Sequence, residues 1–338
     1  MLLHQDYVTP TELTGYVRAA LMDLDRNRFT LSRWLPSKNV DDLLYRFTKG
    51  GEGLVDAATF RAYDAEAPIG SRPGVTRVTG ELPPISRKIR LGEYERLRQR
   101  KATPELRNAI LDDAERMARA VAARLELARG EALYSGKVML NENGVVATVD
   151  FGRTAGHTVT PGTLWSTVAT ATPLLDSITW RDTYIATNGE PPGAMLMSTK
   201  VLGYLLRNAE IRTLAATVSG APAIVSQMAM QAVFEAHGLP PIYINDEQVR
   251  VNGSATRVIP EDRVIMLPAP DGDNQLGATL LGTTAESLEP EYGLTGDEPG
   301  VVAGAYSTND PVAVWTKAAA IGLPVLANPD LTLAADVA

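Results

Sequence analysis

The sequence predicts an α+β fold strung along one unusually long helix, and three observations carry that prediction. Residues 103–135 hold a single apolar stripe at helical spacing, about three times the length of a usual globular helix. Residues 54–91 form two extended runs around a glycine and proline tip, and they are too polar to make a core of their own. The second half alternates short helical and extended patterns before closing on apolar strands.

Composition narrows the class. The 338 residues are 45% hydrophobic and 21% charged, which fits a folded globular chain. Aromatics are only 6%, so the core must be packed from small aliphatic side chains. With no cysteine, disulfides and thiolate metal sites are excluded, and a reducing compartment fits. The opening MLLHQDYVTP lacks the basic and apolar regions of a signal peptide. The apolar run Ala318–Ala327 is too short to span a bilayer.

Charge is uneven. The chain carries −8 overall, yet residues 1–150 hold 23 basic and 21 acidic side chains while residues 151–338 hold 9 and 19. A net of +2 against −10 gives the two halves surfaces suited to different neighbours.

Element by element, residues 11–25 read as a helix capped by Thr11, with Leu13, Val17, Leu21 and Leu24 on one side. An extended arm with brief strands follows to the glycines at 50, 51 and 53. The long hairpin comes next, its tip at Ile69, Gly70, Ser71, Arg72, Pro73 and Gly74. In the long helix, Thr103 is the expected cap, Pro104 takes the first position and Gly136 ends the run. Ile110, Met117, Val121, Leu125, Ala128 and Ala132 share its stripe with Leu106. At ~1.5 Å per residue such a helix is roughly 50 Å long and needs a long, flat partner surface.

Residues 137–152 read as a hairpin turning at Asn141–Gly144. Helices are expected near 173–187, 198–208 and 225–237, with Gly238 closing the last. Strands are expected in LPPIYIND, EQVRVNG, RVIMLPA and GATLLGTT, then an acidic loop from Glu286 to Gly300. The chain ends with two apolar strands separated by the turn Asn328-Pro329-Asp330.

No motif for chemistry emerges. His4, His157 and His237 are far apart without metal-ligand spacing, and His237 sits where it would cap a helix. There is no phosphate-binding glycine loop after a strand and no nucleophile elbow. The pairs Asp41–Asp42 and Asp112–Asp113 are adjacent, so on a helix they point apart and do not serve as acid and base. No catalytic, cofactor-binding or metal site is predicted.

The one anomalous segment is basic. Arg87, Lys88, Arg90, Arg96, Arg98, Arg100 and Lys101 stand against only Glu93 and Glu95. Such a strip suits phosphates, but strand-binding proteins add stacking aromatics and only Tyr94 is present. It equally suits carboxylates of a neighbouring subunit, and all nine charged residues are candidate inter-subunit contacts. A nucleic-acid-binding protein using residues 87–101, or a soluble α/β enzyme without a known motif, are the alternatives.

The collinear order of segments resembles the lambda major head protein (capsid protein E) family of tailed-phage major capsid proteins, which share the Hong Kong 97-like fold. The likeness is carried by LVDAATFRAYDAEAPIGSRPG with its return strand ELPPISRKIRL, by VATVDFGR at 146–153, and by the region of Trp165 and Asp176. It continues in IPEDRVIMLP, LGATLLGTT and the closing DPVAVWTKAAAIGLPVLANPDLTLAADVA.

That resemblance implies an N-terminal arm over residues 1–52, an E-loop over 53–91 reaching across a neighbour, and a peripheral domain over 92–157 with spine helix 103–135. It also implies an axial domain over 158–302 and C-terminal strands over 303–338 returning to the peripheral sheet. It implies a non-enzymatic shell protein assembling as hexamers and pentamers around packaged double-stranded DNA, with scaffolding, portal and decoration proteins as partners. The place implied is the virion capsid, assembled in the host bacterial cytoplasm without a membrane. Some capsids of this fold cross-link through a lysine; among seven lysines here neither Lys49 nor Lys88 has a decisive context, which favours a non-covalent shell.

Overall fold

Thr9 starts the first helix. In the computed structural model, which describes residues 8–49, 76–94, 103–142, 145–216, 222–270, 276–294, 299–309 and 312–338, its hydroxyl accepts from the Glu12 amide at 3.2 Å. Pro10, lacking an N–H that would need a partner, takes the first position of α1, Pro10–Asn27. The cap is therefore Thr9 and not Thr11, whose hydroxyl instead donates to the carbonyls of Tyr292 and Gly293. Leu13, Val17 and Leu21 face the core.

A 3-10 turn, Thr30–Arg33, leads to β1, Ser37–Asn39, and β2, Leu44–Lys49. β2 pairs antiparallel with β3, Thr76–Glu81, from Leu44 opposite Glu81 to Lys49 opposite Thr76. The ascending leg of the hairpin thus begins at Leu44, within the stretch read as extended arm. Its expected tip, Ile69, Gly70, Ser71, Arg72, Pro73 and Gly74, lies outside the described residues. The return leg turns at Leu82 and Pro83 and continues as β4, Pro84–Leu91, which joins a different sheet.

The long stripe forms α2, Thr103–Ser135, the 33-residue helix expected. Ile110, Met117, Val121, Leu125, Ala128 and Ala132 are all buried. Gly136 ends it with φ +71, a left-handed conformation that other residues rarely adopt. β5, Lys137–Glu142, and β6, Val145–Asp150, then form the expected hairpin.

Against α2 lies a mixed five-stranded sheet. Its centre is β15, Val312–Leu326, whose first half is flanked by β14, Val302–Asn309, and by β4. Its second half pairs with β13, Gly277–Gly282, and β1 adds in parallel beyond that. Helix α1 covers the β14 margin: the Thr14 hydroxyl donates to the Ala303 carbonyl at 3.1 Å and accepts from its amide at 3.0 Å. Arg18 donates to the Val301 carbonyl at 3.0 Å. Side chains thus meet backbone groups that an edge strand would leave open.

A second five-stranded sheet runs in the order β7, β16, β12, β8, β9, with β7 at Thr158–Val159, β8 at Ala194–Met197 and β9 at Ile242–Ile244. Its centre is β12, Arg263–Leu267, and β16 is Leu333–Asp336. Met195, Met197, Val264, Met266 and Leu333 face helices α3 (Pro173–Asn188), α4 (Thr199–Arg207), α5 (Ala209–Ala215) and α6 (Gln227–Ala236). Ala194, Leu196, Ile265, Leu267 and Ala334 point the other way, into the core around α2. Period-2 alternation lets one sheet serve both cores.

Two readings need correction here. The terminal strands do not share a sheet: β15 stays beside α2, while β16 crosses to pair with β12 and β7. The set of expected helices lacks one: that over 198–208 forms as Thr199–Arg207, and an unexpected helix, Ala209–Ala215, follows because Asn208 leaves helical geometry (ψ 137) and its side chain accepts from the Glu210 and Ile211 amides. The strand expected in EQVRVNG is β10 (Gln248–Val251), the first leg of a hairpin whose second leg went unread, β11 (Ser254–Arg257), turned by Asn252 at φ 49 and Gly253 at φ 87. Helix α7, Ala285–Leu288, is a single turn after β13.

Candidate functional site: the open edge of the helix-backed sheet

β4 is the margin of the first sheet; among the described residues it pairs with β15 alone, from Leu91 opposite Val314 to Pro84 opposite Ile321. Strand alternation therefore divides the basic strip between two surfaces. Ile85, Arg87, Ile89 and Leu91 lie on the side of α2; Ser86, Lys88 and Arg90 lie on the opposite side.

On that opposite side the cations lie over an aromatic pair. Lys88 Nζ sits 4.7 Å from the centre of the Trp315 ring and the Arg90 guanidinium 5.9 Å from it. Tyr306, directly across the ladder from Trp315, stacks on it at 6.4 Å. Trp315 Nε1 donates to the Thr308 hydroxyl at 3.2 Å, so the indole is fixed in place. Glu93, just past the strand, accepts from the Val312 amide at 3.3 Å, which fastens the end of β4 to the start of β15.

On the α2 side is a groove of about 710 Å³. Its floor carries Ile85 from β4, Ala123 and Leu127 from α2, Leu140 from β5 and Val251 from β10, and every one of these is only partly covered. Arg87, Arg124 and Arg250 rim it. Glu142 answers Arg124 at 3.4 Å, leaving the rim with more cations than anions. An apolar floor inside a positive rim is suited to an acidic, partly apolar segment from another chain.

Of the predicted contact residues, the structure brings Lys88 and Arg90 together on Trp315, sends Arg87 to the groove and leaves Glu93 on the β15 backbone. Glu95, Arg96, Arg98, Arg100 and Lys101 lie outside the described residues. Sequence reading missed Arg124, Arg250 and Trp315. Arg250 was findable as the outward position in the alternating Gln248–Val251, but Arg124 and Trp315 become site residues only through packing between distant segments.

The second core carries a different surface. Leu214, Ile224 and Met228 are large apolar side chains with 49%, 61% and 83% of their surface exposed, all in the neighbourhood of α5 and α6. Trp165, which the sequence reading singled out, is buried; its indole stacks on Trp180 at 5.4 Å and donates to Asp176 at 2.9 Å. Burial raises the Asp176 carboxyl above its ordinary value, partly countered by that indole donor. His157 bonds the Thr332 carbonyl and the Thr187 hydroxyl, and His237 bonds Val233 O at 2.8 Å at the end of α6. Both histidines have structural work. Among the described residues no helix is long and apolar enough to cross a membrane.

The profile of the family named phage major capsid protein E matches residues 47–337. The chain belongs to that family. No curated protein sequence matches it. Among solved structures, one described as the capsid protein of a prophage in Escherichia coli CFT073 matches with TM-score 0.63 and 15% identity, over 96% of this chain and 99% of that one. A phage-related protein from Bordetella bronchiseptica RB50 matches with TM-score 0.61 and 12% identity, over 99% and 97%. A chain of the satellite phage P4 procapsid matches with TM-score 0.50 and 10% identity, over 96% and 90%.

The fold is accordingly the Hong Kong 97-like capsid fold, and this capsid protein is a structural component of a virion. The features of that fold are the long helix, the sheet against it, and the second sheet with its four helices.

Proposed function

We propose that this capsid protein closes an icosahedral shell from hexamers and pentamers, and that the open edge at β4 and its groove form one of the contacts between subunits. The arginine-rimmed groove carries the proposal, because an apolar floor of this size is unsuited to permanent exposure. Its occupant is the hairpin arm of a neighbouring copy. The stretch between β2 and β3 contains LVDAATFRAYDAEAP, which offers apolar residues together with Asp56, Asp64 and Glu66 against the arginine rim.

The rest of the assignment follows the family. The hairpin from Leu44 to Leu91 acts as the reaching loop, the long helix with the sheet of β1, β4, β13, β14 and β15 as the peripheral domain, and the second sheet with its four helices, which takes in β16, as the axial domain. Exposed Leu214, Ile224 and Met228 suit the apolar contacts of a symmetry axis within the capsomer. The shell encloses packaged double-stranded DNA, is assembled in the bacterial cytoplasm, and works with scaffolding, portal and decoration proteins. The basic strip 87–101 serves subunit contacts and not sequence-specific nucleic-acid binding; Lys88 and Arg90 lying on Trp315 supports this.

Sedimentation of the purified chain beside an R87E/R250E double variant tests the groove. The variant should stay as folded subunits or capsomers where the wild type forms fast-sedimenting particles. Particle yields equal to wild type would overturn the groove contact.

A further inference from the structure

One turn of α2, Glu126 to Gly130, is met by elements from several parts of the chain. Glu126 and Arg129 are both 0% exposed, with Arg129 donating to Glu126 at 3.0 Å. The same guanidinium donates to Asp25 of α1 at 2.9 Å, to the Ser37 hydroxyl of β1 at 2.8 Å and to the Thr279 hydroxyl of β13 at 2.9 Å. One residue on, Gly130 is pressed by the backbone of Val258: a Cβ added there would sit 2.2 Å from the Val258 carbonyl oxygen.

Two carboxylates hold the 3-10 turn Thr30–Arg33 at its start. Glu126 accepts from the Leu31 amide at 2.9 Å, and Glu247, between β9 and β10, accepts from the adjacent Thr30 amide at 3.3 Å. The second Glu247 oxygen is buried with no hydrogen-bond partner. The groups facing this point are Asp25 from α1, Glu126 and Arg129 from α2, Glu247 from the β9–β10 link, and the uncharged Ser37 and Thr279 from β1 and β13.

Asp25 and Glu126 share the Arg129 guanidinium, and Glu247 brings a third carboxylate to the amide next to that of Leu31, so the three acids do not all ionise without cost. Asp25 keeps some contact with solvent, at 16% exposure, and is the direct counter-charge of Arg129. We propose that the buried Glu126 carboxyl holds a proton, and that this proton locks the turn Thr30–Arg33 onto the long helix, so that its loss loosens the N-terminal segment. Burial, opposed by Arg129 and reinforced by Glu247, pushes the Glu126 carboxyl up to about 8.

The sign follows from linkage. A carboxyl raised from 4.5 to about 8 in the docked state stabilises docking fully below its ordinary value and loses that stabilisation as pH rises to about 8. One proton changes the opening equilibrium by at most about tenfold per pH unit.

Hydrogen exchange on the full chain from pH 5 to 9.5, corrected for intrinsic exchange, tests the lock. Protection of the amides in Thr30–Arg33 should fall by up to about tenfold per pH unit through this window and level off above about pH 8. Amides of α3, which do not touch the site, should not follow. Glu126→Gln should abolish the slope, and Glu247→Gln should move the levelling point to lower pH. Flat protection in the wild type, a parallel fall in α3, or an unchanged slope in Glu126→Gln would overturn the proposal. If Glu126→Gln fails to fold, an unmoved levelling point in Glu247→Gln overturns it equally.

Discussion

Arg153 donates to the Leu133 carbonyl at 2.9 Å, so a side chain from beyond the β5–β6 hairpin closes the end of the long helix. It also donates to the Tyr134 carbonyl at 2.8 Å and the Thr332 hydroxyl at 3.1 Å. The last carbonyls of a helix have no partner within it, and a cation there also meets the negative end of the helix dipole. Burial lowers the guanidinium to about 10, still charged at neutral pH. Arg153→Met keeps the apolar stem and removes the donors. Denaturant unfolding should show a loss of about 2 kcal/mol, the scale of charge-assisted hydrogen bonds less the relief of a buried charge.

Gly130 allows the backbone at Val258 to approach α2 closely. Gly130→Ala raises helix propensity, yet its Cβ would lie 2.2 Å from a carbonyl oxygen. The clash decides the sign: stability should drop by roughly 1–3 kcal/mol, the range of overpacking, instead of rising. A thermal midpoint at or above wild type would show that the contact yields.

Lys317 and Glu286 form an ion pair beside α7. Burial favours the neutral carboxyl, but the Lys317 ammonium and backbone donors outweigh it and hold Glu286 below its ordinary value. A depressed carboxyl contributes stability above its unfolded value, lost as pH falls through the folded one. Lys317→Met should therefore flatten the acid limb of the stability profile below about pH 4.5 while changing the alkaline limb little. An unaltered acid limb would remove the pair from the account.

The basic strip offers a test by charge reversal. R96E/R98E should impair assembly while circular dichroism and the unfolding midpoint of the soluble subunit stay near wild type. Normal particle formation by this variant would sever the strip from assembly.

The long helix was legible to the residue, because its stripe, its Pro near the start and Gly136 after its end all agree. Three of the four helices of the second core were legible; Ala209–Ala215 was not, because the capping role of Asn208 looks from sequence like one more polar residue at the end of the helix before it. The terminal strands misled because apolar neighbours in sequence suggest pairing; only the second sheet, with two buried faces, shows why β16 belongs there. The site was half legible. Positive charge over 87–101 marked the segment, but alternation along β4 decides which surface each residue serves, and its partner Trp315 lies more than 200 residues away. Glu126 and Arg129 carry no signal in the sequence, because only α1, β1 and β13, from distant parts of the chain, close over them.

The most direct test of the central claim, that this chain builds a shell, is electron microscopy of the purified protein under assembly conditions, alone and with a candidate scaffolding protein. The account predicts closed particles of uniform size, or hexameric and pentameric capsomers. A monodisperse population of monomers in both preparations would contradict it.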